Sequence, residues 1–152
     1  MPTTNANLAK KAIIAALKAA AGPAGLLDGV SVDYAYNGNV GALSVYGGGW
    51  RILEQIDAVA EGPGVLVAEL VSVSLYVRAL ARPAVDVEET DDQADAVLTA
   101  IGTVFKAAPK LAGPLTVVGV ASGQGDYSRT DEETISIQAL QVQVRSNLSW
   151  GP

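Results

Sequence analysis

Six acids, Asp86, Glu88, Glu89, Asp91, Asp92 and Asp95, fall within ten consecutive positions with no base among them. Hard divalent cations ask for several carboxylate oxygens at close range, so this stretch is the first place to look for a metal. It lacks the Asp-x-Asp-x-Asp-Gly order and the closing Glu of a calcium loop. The same acids also suit the start of a helix, where negative charge complements the positive end of the dipole, and Thr90 with Gln93 has the spacing of a capping box. We read the stretch as solvated and helix-capping. A second acidic group, Asp131, Glu132 and Glu133, lies in a polar segment rich in Gly and Asp.

Other chemistry finds fewer supports. The chain has no His and no Cys, which removes the commonest general base, the commonest transition-metal ligand and thiolate nucleophiles. Gly38, Gly41, Gly47, Gly48 and Gly49 end in neither Gly-Lys-Ser/Thr nor a Gly-x-Gly-x-x-Gly turn, so a phosphate cradle is not indicated and a mobile loop from Asn37 to Gly49 is expected. Gly123-Gln124-Gly125-Asp126 reads as a loop tip. Asn147-Leu148-Ser149 has the form of a glycosylation acceptor without a secretory context. Tyr34, Tyr36, Tyr46, Trp50 and Trp150 could stack on a ligand, but aromatic residues in strands more often pack on a sheet or fill an interface. No nucleophile has a base partner, so the expectation is a protein that is not an enzyme and takes no cofactor or metal.

The 152 residues suffice for one domain around one core. The formal net charge of −6 argues against a general nucleic-acid binder, whose affinity rests on Lys and Arg neutralising phosphates, though not against DNA passing nearby. Lys10 and Lys11 precede an apolar segment ending at Ala21, which has a signal-peptide flavour. Lys18 interrupts it, and an amphipathic helix with Ile13 and Leu17 on one face explains the same residues. No segment reaches the roughly 20 apolar residues of a membrane span. A soluble, intracellular product is expected.

The elements follow from periodicity. A helix runs from Asn7 to about Ala21 and stops at Gly22 and Pro23. Val30, Val32, Tyr34 and Tyr36 alternate as a strand, and Asn37-Gly38 suits a tight turn. Trp50 to Val59 forms a second strand, and Gly62-Pro63-Gly64 turns the chain into the longest alternating run, Val65 to Ala81. That run carries Val65, Val67, Val71, Val73, Leu75 and Val77 on one face, and at roughly 3.3 Å per residue it would span about 55 Å, so it must bend or project. A helix from Asp91 to about Ala107 follows, its buried face given by Ala94, Val97, Leu98, Ile101, Val104, Phe105 and Ala108. Leu115 to Ala121 is a strand, Ser122 to Thr134 an exposed loop, and Ile135 to Leu148 a last strand. In that strand the apolar positions change phase after Ile137, which predicts a β-bulge or a new packing partner near Gln138 to Leu140. The expected fold is α+β, one mostly antiparallel sheet with a long hairpin packed against two helices, in the order α-β-β-β-α-β-β. Its core should hold Ile13, Leu17, Val71, Val73, Leu75, Val97, Leu98, Ile101, Phe105, Val117, Val142 and Val144.

With that order of elements, the chain resembles the tail terminator, or tail completion, proteins of long-tailed bacteriophages. The resemblance runs through the helix around Ala12 to Leu17, the hairpin from Arg51 to Ala81, the helix from Asp91 to Ala107 and the closing text Ile-Gln-Ala-Leu-Gln-Val-Gln-Val-Arg at Ile137 to Arg145. It is one of architecture and carries no functional residue over by position. It implies a virion protein assembled in the host cytoplasm: a homo-oligomer, a hexameric ring, on the end of the tail tube. Such a ring stops tube polymerisation and meets the head-completion or connector protein, with DNA only in passage and no membrane. On this reading Asp86, Glu88, Glu89, Asp91, Asp92, Asp131, Glu132 and Glu133 are candidate charges of the rim or lumen. Two alternatives stand beside it: another neck, connector or tail tube component of the same kind of particle, and a small α+β ligand-binding or enzymatic domain.

Overall fold

The computed structural model describes residues 4–38, 41–59 and 65–150. Two helices and five strands follow one another as α1 (Ala6–Ala20), β1 (Ser31–Asp33), β2 (Leu43–Val59), β3 (Val65–Ala81), α2 (Val87–Ala107), β4 (Thr116–Arg129) and β5 (Thr134–Trp150). The strands form one sheet in the order β1-β2-β3-β5-β4. Only the β1–β2 pair is parallel; the other three pairs are antiparallel. The fold is α+β, with both helices packed on one face of the sheet.

Side-chain alternation decides which face that is. Val71, Val73, Leu75, Val77 and Ala79 of β3 are buried, as are their neighbours Val45, Leu140, Val142, Val144 and Val117 on the adjoining strands. Onto this surface α1 lays Ala6, Ala9, Ile13, Ile14 and Leu17, and α2 lays Ala94, Val97, Ile101 and Phe105, all in one cluster. These helical residues recur at three and four positions, the spacing of one buried stripe. Every expected core residue is buried except Leu98, which is partly buried against the cluster.

Several sequence expectations are corrected. The segment Asn37 to Gly49 is not a loop throughout, because β2 begins at Leu43 and runs through the three glycines. The register with β3 shifts between Gly47 and Trp50, so the run is a bulged strand. A Cβ on Gly47 would stand 2.4 Å from the Tyr34 carbonyl oxygen, and one on Gly48 would stand 2.6 Å from Cε2 of Tyr76, so close approach and not mobility requires these glycines.

The exposed loop from Ser122 to Thr134 is also mostly strand. β4 continues to Arg129, and only Thr130 to Glu133 turns the chain. Its polar composition has a plain cause, since residues 121–130 are exposed. The phase change in β5 proves to be no bulge of that strand, which pairs with β3 in unbroken register from Thr134 to Trp150. The irregularity at this height belongs to β4, between Ser122 and Gly125. Ile135 and Ile137 lie on the face away from the helices, beside Leu80 and Arg78, while Thr134 and Ser136 lie on the helix side, Thr134 hydrogen-bonding Val85 just before α2 and Ser136 bonding Thr90 and Asp91 within it.

The helix α2 begins four residues before the expected Asp91, with Asp86 at its N-cap, and the Thr90–Gln93 box does not form. Thr90 is buried within the first turns instead, its hydroxyl meeting Val87 O at 3.1 Å and Ser136 Oγ at 2.7 Å. β1 covers only Ser31–Asp33, and Tyr34 and Tyr36 lie beyond its end.

Candidate functional site

The two acidic stretches, some forty positions apart in sequence, meet at one end of the molecule. Thr134 donates to Val85 O at 2.6 Å and Arg129 Nε donates to the same oxygen at 3.0 Å, so the β4–β5 turn is laced to the residue before the α2 N-cap. Arg82 and Glu133 form an ion pair at 2.7 Å across the same junction. Glu88 and Glu89 occupy the first turn of α2, where they complement the helix dipole. Asp91 accepts a 2.6 Å hydrogen bond from Ser136. Asp91, Asp92 and Asp95 then line a groove of about 400 Å³ with Gly125, Asp126, Tyr127 and Gln138. Among the described residues no three carboxylates stand so as to hold a metal ion.

The turn is closed by hydrogen bonds of the Thr130 backbone and hydroxyl. Thr130 N–H donates to Glu133 O at 2.9 Å, and Thr130 Oγ1 accepts from the amides of Glu132 and Glu133, each at 3.2 Å. A hydroxyl that closes a turn in this way is a side-chain mimic of the backbone turn. Asp131 and Glu132 are thereby presented to solvent, whereas Glu133 is committed to Arg82. So of the eight candidate charges, the structure brings all to one end, but only Glu133 has an ion-pair partner among the described residues.

The face of the sheet opposite the helices is a second, different surface. At its upper part Tyr46 stacks on Tyr76 at 5.4 Å and meets Tyr36 at 5.3 Å, with the Arg78 guanidinium 5.8 Å from the Tyr36 ring centroid. Burial raises the pKa of Tyr46 above its ordinary value, and the positive charge of Arg78 opposes that rise. Lower down, Gly49, Trp50, Arg51, Ser72, Ser74 and Gln141 line a groove of about 410 Å³. Ser72 and Ser74 both donate to Oε1 of Gln141, at 2.8 and 3.1 Å, which fixes the amide plane.

One buried polar residue escaped the sequence reading altogether. Glu69 sits on the helix-facing phase of β3 and is 1% exposed. Its Oε1 accepts from the Asn5 amide at 2.7 Å and its Oε2 from Gln55 Nε2 at 2.7 Å. A carboxylate at a helix N-terminus satisfies an orphan donor and complements the dipole. The signal available in the sequence was a charged residue in the apolar phase of an otherwise hydrophobic strand. Trp50 likewise ties α1 to the sheet through Nε1 to Asn7 Oδ1 at 3.3 Å.

No family model matches the chain, and no curated protein matches it. Among solved structures, a chain described as from the virion of a native gene transfer agent particle is similar over 95% of this chain and 100% of its own length, at 17% sequence identity and a TM-score of 0.46.

Proposed function

We propose that this chain is one domain that works by assembly: a structural virion protein that forms a homo-oligomeric ring, hexameric by resemblance, caps a tail tube, stops its polymerisation and presents a surface for head joining. The observation that carries the reading is the one-sided packing of the sheet. Both helices cover one face, and among the described residues no helix packs on the other, which carries tyrosines, serines, glutamines and arginines and buries Ser44, Ser72, Arg78 and Leu80. The edge of β4 beyond Val117 is unpaired in the sheet order, and residues 121–132 around the β4–β5 turn are exposed. Unpaired edges and uncovered faces invite pairing with another chain. A closed ring needs two different surfaces on each subunit, since each copy meets one neighbour with each.

The same element order that carries the resemblance to tail terminators supports the finer assignment. The tube protein and a head-completion or connector protein are its partners on this reading. The acids Asp86, Glu88, Glu89, Asp91 and Asp92 at the α2 N-terminus form a charged rim or lumen, where negative charge keeps passing DNA from sticking. Asp131, Glu132 and Glu133 extend that rim around the β4–β5 turn. Mass measured on the purified chain over a range of concentrations tests the reading. A discrete closed oligomer that blocks tube elongation without nucleotide or metal is expected. A protein that stays monomeric, or tubes that elongate unchanged in its presence, would overturn it.

A further inference from the structure

We infer that the groove formed by Arg51, Ser72, Ser74 and Gln141 is a carboxylate socket, and that its occupant is the β4–β5 turn of a second copy of this chain. The inference rests on the assembly reading above and gives it a specific contact. Gln141 spends its Oε1 on the two serine hydroxyls, so its amide N–H groups are left to donate into the groove. Arg51 is exposed beside it, and no carboxylate among the described residues forms an ion pair with it. A planar guanidinium with an amide donor at its side is suited to gripping a carboxylate through two parallel hydrogen bonds. The bulge at Gly47–Trp50 opens this part of β2, since a Cβ on Gly49 would meet nothing within 4 Å.

Charge complementarity selects the occupant. The chain carries a net charge of −6, and Asp131 and Glu132 are its two carboxylates held outward on a hydrogen-bonded turn at the tip of an exposed hairpin. Their neighbour Glu133 is anchored to Arg82, so the tip is pre-shaped and loses little freedom on docking. Tip and socket lie on different parts of the surface, so the contact they make is heterologous and runs head to tail, the kind that closes into rings.

The test is a charge exchange read by sedimentation velocity on the full chain, with circular dichroism to confirm that each variant is folded. Arg51→Glu alone, and Asp131→Lys with Glu132→Lys, should each weaken self-association by about tenfold or more, because like charges then face each other across the contact. Combining all three should restore association toward the wild-type level. Wild-type protein that assembles while these variants assemble equally well, or a combined variant no better than its parents, overturns the socket and leaves the assembly reading standing. Wild-type protein that never associates overturns both.

Discussion

A methyl group added at Gly47 would sit 2.4 Å from the Tyr34 carbonyl oxygen and 2.7 Å from Cε of Lys10. The backbone oxygen cannot swing aside as a side chain can, so Gly47→Ala should cost about 1–3 kcal/mol in denaturant unfolding. Gly49→Ala is the control, since open space surrounds that position and the change should be within about 0.5 kcal/mol. Equal effects at the two sites would show that the run tolerates substitution as a loop does. The sequence displays three adjacent glycines and nothing of what stands opposite them. Conformational freedom serves a loop and a tight strand crossing alike, and only the tertiary neighbours Lys10, Tyr34 and Tyr76 separate the two. Tyr46 supplies a second prediction. Its proton is held more tightly folded than unfolded, so above its ordinary pKa of 10.0 the unfolded chain ionises first and binds fewer protons. Stability contributed by this group is therefore fully present below that pH and lost as pH rises through the folded pKa. Lys10, lowered from 10.5 by burial, acts in the opposite sense over the window just below that value. Comparing wild type with Tyr46→Phe isolates the tyrosine: the difference in unfolding free energy should be constant near neutrality and shift against the wild type in alkali. A difference independent of pH up to strong alkali would contradict it.

Glu69 makes the join between elements, linking the N-terminus of α1 to β3 and, through Gln55, to β2. Removing it leaves the buried Asn5 amide without its acceptor, so Glu69→Ala should destabilise the fold by about 1.5–3 kcal/mol. Glu69→Gln keeps an acceptor oxygen and should lose less. Hydrogen exchange locates the effect: amides in the first turn of α1 should exchange faster in Glu69→Ala, while those of α2 stay unchanged. A uniform loss of protection across both helices would mean that the residue serves the core as a whole. The elements themselves were largely legible. Helical spacing gave both helices, and period-two alternation gave the β2–β3 hairpin, because each element buries one face against the same core. What escaped was the continuation of β4 to Arg129, where strand structure persists without a buried face and the alternation signal has no cause to appear. The same logic explains Ile135 and Ile137: their apolar side chains lie on the face away from the helices, so the pattern mimicked a slip in register that the β3–β5 ladder does not contain.

At the scale of the molecule, the acidic stretches were recognisable as a class of surface, but their meeting at one end was not. It depends on the hydrogen bonds of Thr134 and Arg129 to Val85 O and on the Arg82–Glu133 pair, contacts between residues 44 to 51 positions apart. The Arg51 groove had no sequence signature, since Arg, Ser, Ser and Gln come from three strands. On the proposed reading, a one-sided α+β sheet with an acidic end and a polar face that no helix covers is a subunit whose remaining partners are other chains. The measurement that bears most directly on that account is the length of tails made in particles lacking this protein. Tails of uncontrolled length that fail to join heads are expected, because nothing would cap the growing tube. Tails of normal length joined to heads in its absence would contradict the account.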